Sequence, residues 1–198
     1  DGVTDYLNYN AKVSTTNGDD WSLSAWVNNQ ELGQIGVIWG QSTGGYGVQF
    51  RKYDDNEIHL DWRNVSNAPI TIASSGTSLP LGVWVHVAVT WESQTKVVLY
   101  VNGKNVSEYT TTANITLSST GNTNAQSRRN FLSSTDPYLS AMWLADVKRF
   151  DCALTEAQVE ELYLKPEQSA PSSVQANLKQ WFPMCEGNPD SPQSIVYD

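Results

Sequence analysis

Apolar and polar side chains alternate along much of the chain with a period of two residues. The clearest run is EIHLDWR, which places Ile58, Leu60 and Trp62 on one face and Glu57, His59, Asp61 and Arg63 on the other. This spacing is typical of a β-strand with one buried face. Similar runs cover Trp21–Val27, Tyr46–Tyr53 and the segments VWVHVAVTWE and KVVLYVNGKNV, and Ile35–Gly40 is an apolar run. The pattern predicts a mainly β protein.

Short turns separate these strands. Asn102 and Gly103 form a two-residue turn signal, which predicts a hairpin between Lys96–Val101 and the segment around Val106. Because the strands follow one another without intervening helices, antiparallel sheets are favoured over βαβ units. The predicted fold class is therefore an all-β antiparallel sandwich.

One helix is predicted after this block of strands, over residues 155–164. Thr155 and Gln158 have the spacing of a capping box, and a proline soon follows the helix. The Pro- and Ser-rich residues 165–177 are predicted to be a linker. A last apolar run, Leu178–Met184, then leads into a polar loop that continues to the end of the chain.

Composition limits the partners of the protein. The net charge is −9 and adjacent arginines occur only at Arg128 and Arg129, which disfavours nucleic acid because phosphate binding needs clustered Lys and Arg. No apolar run approaches the length of a membrane span, so no membrane insertion is predicted. Cys152 and Cys185 are compatible with a bridge or with two buried thiols. The start at Asp1 suggests a piece of a longer protein.

Five segments, taken in order, carry a resemblance to a known family. They are DGVTDYL, WSLSAWV, VWVHVAVTWE, VVLYVNGK and LADVKRFDCALTEAQVEELY. Together they resemble the laminin-G-like, concanavalin A-like lectin family, over most of residues 1–164. The resemblance implies a jelly-roll sandwich whose body is formed by residues 1–164.

The C-terminal run also resembles this family, but at an unexpected place. Family members usually begin with a strand and loop of the kind that stands here at the end of the chain: Leu178, Trp181, Phe182, Pro183, Glu186, Gly187, Val196, Tyr197 and Asp198. Residues 178–198 are either a first strand moved to the C-terminus, which completes the same domain, or the start of a second repeat. An unpaired sheet edge beside exposed aromatic residues would promote aggregation, which favours the first interpretation.

Catalysis is the least favoured function. Glycoside hydrolases of the laminarinase type share this superfamily and carry a Glu-x-Asp-x-x-Glu strand. The nearest match is Glu57, His59 and Asp61, which lacks the closing carboxylate. His86 lies in a predicted buried strand, where a hydrogen-bonded structural imidazole is favoured over a catalytic base. We predict that the chain is not an enzyme, with glycoside hydrolase as the enzymatic alternative.

The resemblance also implies a calcium site. Laminin-G-like domains often hold one Ca2+ through carboxylate and backbone oxygens, and the matching positions are Asp1 or Asp5 in DGVTDYL and Asp146 in LADVKRF. The alternative interpretation is that these aspartates only form turns. Asp146 is the better candidate, because a carboxylate that points inwards from a strand needs a partner.

Glycan recognition is the predicted function. Sugars are bound by aromatic faces together with planar polar side chains, and one predicted sheet face offers both. The predicted site comprises Gln49, Arg51, Tyr53, His59, Asp61 and Arg63 on this face, together with Tyr46, which is in the opposite phase of its strand. The polar loops Gly40–Gly47, which contains Tyr46, and Thr120–Asn130 are the other predicted location for a site. We expect a carbohydrate-binding or adhesion module of a larger extracellular, cell-surface or virion protein. The alternative is a structural or protein-interaction module of such an assembly.

Overall fold

The computed structural model describes residues 8–9, 19–43, 46–63, 69–110, 123–125 and 141–183 of the 198-residue chain. These residues form twelve strands, one α-helix and one 3-10 helix. The strands are β1 (Asn8–Tyr9), β2 (Trp21–Asn29), β3 (Gly36–Thr43), β4 (Tyr46–Lys52), β5 (Glu57–Arg63), β6 (Pro69–Ser78), β7 (Trp84–Glu92), β8 (Lys96–Val101), β9 (Lys104–Thr110), β10 (Thr123–Ala125), β11 (Met142–Phe150) and β12 (Leu178–Phe182). The α-helix, α1, is Glu156–Leu164, and the 3-10 helix is Ser172–Asn177.

The strands form two six-stranded sheets. The first sheet has the order β1-β10-β3-β4-β5-β6, and the second has the order β12-β11-β2-β7-β8-β9. All the pairings between these strands are antiparallel. The all-β antiparallel prediction is therefore confirmed. The face of each sheet that points away from the shared core is called its outer face below.

The core lies between the sheets and follows the alternation seen in the sequence. On β5, Ile58, Leu60 and Trp62 are all buried in it. Trp91 joins the two layers, because its ring stacks on Trp21 at 6.0 Å and meets Trp62 edge-on at 5.4 Å, measured between ring centroids. Large buried aromatic rings contribute much of the stability of such a core.

The turn predicted at Asn102 and Gly103 joins β8 to β9. Both residues have positive φ, at 50° and 78°, which the tight turn of a two-residue hairpin requires. Gly103 also lies against α1, where a Cβ atom would stand 3.1 Å from the Cα of Glu160. The hairpin and the helix therefore pack closely at this point.

Helix α1 begins as the sequence predicts. Thr155 is its N-cap: the Gln158 backbone N–H donates to the Thr155 hydroxyl, and the Thr155 backbone N–H donates to the Gln158 side-chain oxygen at 2.8 Å. Through Val159 and Leu162 the helix covers part of the outer face of the second sheet. No helix in the described ranges is long and apolar enough to span a membrane.

Residues 165–177, predicted to be a linker, include the 3-10 helix and pack onto the same cluster as α1. Ala170 and Val174 are buried there, because these two apolar side chains interrupt an otherwise polar segment. Strand β12 then pairs with β11, with Phe182 opposite Val147 and Trp181 opposite Lys148. Phe182 packs against the main core. The chain from residue 184 onwards, including Cys185, lies outside the described residues.

Candidate ligand-binding site

Strands β4 and β5 bring several predicted ligand-binding residues together on the outer face of the first sheet. Their register places Gln49 opposite Asp61 and Arg51 opposite His59, and partners in an antiparallel pair share a face. Tyr46 and Arg63 lie in these strands, but their side chains are outside the described part of the structure. The alternation of polar and apolar residues in the two strands is enough to predict that these side chains share a face.

The polar groups of this face are largely engaged with one another. Arg51 Nε lies 2.5 Å from Asp61 Oδ2 without the alignment of a hydrogen bond, so the contact is electrostatic. The Arg51 guanidinium lies 4.7 Å from the centre of the Tyr53 ring, and the His59 ring stacks on Tyr53 with 4.7 Å between centroids. Arg51 and His59 are each only 8% exposed. The face therefore offers little free aromatic surface.

The carboxylates weighed for catalysis have structural partners. Glu57 Oε1 accepts a hydrogen bond from the Gly76 backbone N–H at 2.6 Å. Asp61 Oδ1 accepts one from the Thr71 hydroxyl at 2.6 Å, while Asp61 Oδ2 faces Arg51. Retaining or inverting hydrolysis needs one carboxylic acid and one free carboxylate flanking a sugar. Neither carboxylate is free of contacts with other protein groups in this arrangement.

Asp146, the better calcium candidate, is bonded to other side chains of the protein. It sits with φ of 53° at an irregularity of β11, where the pairing with β2 shifts between Ala145 and Lys148. Its Oδ2 accepts from Lys148 Nζ and its Oδ1 from Trp181 Nε1, each at 2.6 Å. A calcium ion takes six to eight oxygen ligands and would be repelled by this ammonium.

Asp146 therefore does not fit a calcium site in this arrangement. Burial raises the pKa of its carboxyl, partly offset by Lys148 and Trp181, and burial lowers the pKa of the Lys148 ammonium, partly offset by Asp146. Asp1 and Asp5 lie outside the described residues. Calcium binding at those two positions stays a prediction.

A second set of side chains lies on the outer face of the second sheet. Strand register places Trp143 on β11 opposite Asn28 on β2, and Asn28 opposite Trp84 on β7. The three form a row across neighbouring strands, called the Trp84–Asn28–Trp143 row below. Because strands lie 4.7–4.9 Å apart, the two tryptophan backbones are about 10 Å apart.

The two indoles of this row are exposed. Trp143 is 59% exposed and Trp84 is 42% exposed, with Asn28 buried between them. The half-exposed Gln30 donates a hydrogen bond from Nε2 to Asn28 Oδ1. Helix α1 covers other parts of this face but leaves both indoles accessible.

Sequence reasoning missed this row because most tryptophans were assigned to the core. Four are buried: Trp21, Trp39, Trp62 and Trp91. The signal that was missed is the position of Trp84 in the alternation of β7, whose core positions are Val85, Val87 and Val89. Trp84 occupies the opposite phase and so must point away from the core.

His86 occupies the same outer phase as Trp84 but is fully covered. Its ring contacts Trp26 and Tyr163 at centroid distances of 5.5 and 6.1 Å. Burial, and secondarily the charge of Lys148, lowers the pKa of His86 to about 3. Its Nδ1 has no hydrogen-bond partner within the described part of the chain. The imidazole is a neutral, buried group.

Known structures share this architecture. The chain superposes on a crystal structure titled a "putative carbohydrate binding protein" from Bacteroides ovatus with a TM-score of 0.68 and 16% identity, covering 91% of this chain and 50% of that one. The receptor binding domain of botulinum neurotoxin D gives 0.63 and 14%, covering 82% and 42%. The binding domain of Paraclostridial Mosquitocidal Protein 1 gives 0.59 and 16%, covering 77% and 39%.

At these identities the likeness shows the fold alone, and the chain spans half or less of each of those structures. No curated protein matches the sequence. The family model described as the concanavalin A-like lectin/glucanases superfamily, of laminin-G type, matches residues 1–160. As the sequence resemblance predicted, the chain belongs to the concanavalin A-like lectin/glucanase superfamily.

Proposed function

We propose that the protein is a non-catalytic carbohydrate-binding module of a larger secreted or surface-exposed protein. The observation that carries the proposal is the exposed Trp84–Asn28–Trp143 row on the outer face of the second sheet. Lectin-like membership and binding-domain neighbours support a binding module in general. The row supplies the chemistry that points to a sugar.

Two exposed indoles suit the apolar C–H faces of sugar rings. Aromatic side chains that keep a polar tip are favoured where one side of the contact is wet, and amide side chains fix hydroxyl groups by hydrogen bonds. Trp84 and Trp143 supply the first element, and Gln30, held by Asn28, supplies the second. The net charge of −9 disfavours an acidic glycan. A neutral oligosaccharide is the best fit.

The face formed by β4 and β5 remains a second proposed location. Gln49 and Tyr53 are half-exposed there, but the Tyr53 ring contacts both Arg51 and His59. A sugar would have to displace one of these contacts before stacking. We therefore rank this face below the tryptophan row.

A protein-interaction module is the second candidate function. Leu81 and Val83 precede β7 and are 54% and 51% exposed. Leu81 lies beside Asn29 at the end of β2. Exposed apolar side chains next to an aromatic pair also fit a protein surface. Glycan recognition is favoured because the residue between the two tryptophans is Asn28, an amide that is bonded to the half-buried amide of Gln30, rather than an apolar residue.

A glycan array with the intact chain tests the proposal. We expect saturable binding to a neutral oligosaccharide, weakened about tenfold or more in Trp84→Ala and in Trp143→Ala, as for buried aromatic anchors of other interfaces. Leu164→Ala is the matched control, since Leu164 is an exposed apolar residue at the end of α1. This control should bind like the wild type.

Other outcomes of these binding experiments would support a different site or a different function. If Gln49→Ala weakens glycan binding and the tryptophan variants do not, the site lies on the β4–β5 face. Silence across a broad array favours the protein-interaction candidate. Release of reducing sugar from a β-glucan by the wild type would overturn the non-catalytic assignment.

A further inference from the structure

Three metal-ligating side chains converge at the turn between β4 and β5. Glu57 and His59 stand at alternate positions of β5 and so share a face, while Asp55 lies in the turn just before that strand. One ligand atom of each lies within 4.8 Å of the others. They lie on the other sheet of the sandwich from the tryptophan row, so the inference does not rest on that row, although His59 also belongs to the β4–β5 face.

Hydrogen bonds from backbone amides orient both carboxylates. Asp55 Oδ1 accepts from the Glu57 N–H at 2.8 Å, and Glu57 Oε1 accepts from the Gly76 N–H on β6 at 2.6 Å. Each carboxylate therefore has one oxygen held by a backbone amide, and the other oxygen of Asp55 contacts His59. Groups around a metal site commonly orient its ligands in this way.

The imidazole of His59 is held from two sides. Its ring stacks on Tyr53, and its Nε2 lies 3.0 Å from Asp55 Oδ2. His59 is buried, with 10% of its side chain exposed, while Asp55 is exposed and Glu57 half-buried. One nitrogen on a fixed ring thus faces two carboxylates that solvent ions can reach.

We propose that Asp55, Glu57 and His59 bind a divalent transition metal ion, with zinc as the best fit. Zinc accepts mixed nitrogen and oxygen ligands at about 2.0–2.2 Å and is satisfied by three protein ligands plus water. A neutral imidazole and two carboxylates balance its double charge. Calcium is disfavoured because it needs six to eight oxygens and gains little from a ring nitrogen.

Zinc binding would change the contact between His59 and Asp55. Without metal the two share a hydrogen bond at 3.0 Å. A nitrogen that binds zinc carries no proton, so the zinc ion would replace the hydrogen bond between His59 and Asp55.

Isothermal titration of the intact chain with zinc chloride tests the proposal. We expect one equivalent to bind, with affinity at least about tenfold weaker in Asp55→Asn and in Glu57→Gln, changes that keep side-chain shape and remove charge. Asp54→Asn is the matched control, because Asp54 is an exposed carboxylate in the same turn that is not one of the three ligands. Calcium chloride at the same concentration should neither bind there nor displace zinc.

Two results would overturn the site. One is the absence of saturable heat, and of any rise in melting temperature, up to millimolar zinc. The other is equal weakening by Asp54→Asn and Asp55→Asn, which would mean that zinc collects on an acidic surface. His59→Gln adds a check, since it removes the nitrogen ligand while circular dichroism reports whether the variant is folded.

Discussion

The ammonium of Lys148 lies 2.6 Å from the carboxylate of Asp146, and the Lys148 side chain is completely buried. Lys148 also donates to the Gln168 carbonyl at 2.9 Å, in the segment that follows α1. Trp181 on β12 closes the group through its bond to Asp146. One buried ion pair thus connects β11, β12 and the segment between α1 and the 3-10 helix.

Breaking this pair from one side should strongly destabilise the protein. Lys148→Met leaves a desolvated carboxylate, and Asp146→Asn leaves a desolvated ammonium. Each change should lower the free energy of unfolding by about 3–5 kcal/mol, the usual cost of removing one member of a buried pair. Urea unfolding followed by tryptophan fluorescence measures this cost.

The double variant is the control for that prediction. Asp146→Asn combined with Lys148→Met leaves no unpaired charge, so it should cost less than the sum of the single changes. Additive losses would mean that the two groups do not interact energetically in the folded state. Lys179→Met, which removes a half-exposed partner of Asp151, should change stability by less than about 1 kcal/mol.

Strand β12 is expected to be required for stable folding. A chain ending at Asn177 loses Phe182 from the core and exposes the edge of β11, so it should melt at a lower temperature and aggregate. A chain ending at Pro183 keeps the strand and is the matched control. Phe182→Ala alone should cost about 2–4 kcal/mol, because the ring is only partly buried. If the shorter chain stayed monomeric and melted with the control, an independent second repeat would be supported.

His86 should make stability depend on pH. Its pKa is about 3 in the folded state and about 6.5 when unfolded, so between these values the unfolded chain binds a proton that the folded chain does not. Stability from this group is complete above about pH 6.5 and is lost as the pH falls. From pH 7 to pH 5 the loss should be about 2 kcal/mol.

The variant His86→Gln isolates this contribution. It should be less stable than the wild type at pH 7, but the difference should shrink by about 2 kcal/mol at pH 5, as measured by urea unfolding at both values. A constant difference would show that His86 does not lose a proton on folding.

Gly103 should be less replaceable than other glycines with positive φ. An alanine Cβ at Gly103 would approach Glu160 Cα at 3.1 Å and the Tyr163 side chain at 3.2 Å, whereas one at Gly33 would meet nothing within 4 Å. Gly33→Ala carries only the backbone strain of about 1–2 kcal/mol. Gly103→Ala should cost about 1–3 kcal/mol more, through overpacking against α1. Equal melting temperatures for the two variants would contradict the close packing.

Much of the fold could be predicted because alternation is a local property. The phase of β5, the turn at Asn102 and the cap at Thr155 each depend on neighbours in sequence. The packing of residues 165–177 could not be predicted in this way. Ala170 and Val174 are isolated apolar residues, and their burial depends on a distant cluster around Phe150.

The candidate site was harder to predict for a related reason. Alternation tells which face a side chain occupies, but it does not tell whether another element covers that face. His86 and Trp84 share one phase of β7, yet α1 helps to bury the first and leaves the second exposed. The shared face of Gln49 and Asp61 follows from the alternation, but the pairing of Arg51 with Asp61 depends on side-chain geometry.

The position of Trp84 and Trp143 on strands, rather than on loops, has a consequence for selectivity. Hydrogen-bond ladders to β2 hold the two backbones about 10 Å apart, so the spacing of the indoles can change only through rotation of their side chains. Because these strands are already ordered, a ligand that binds there restricts the protein backbone little, and the entropic cost of binding falls mainly on the ligand. Chain length and repeat spacing of the ligand, more than the identity of any single ring, should therefore decide what binds.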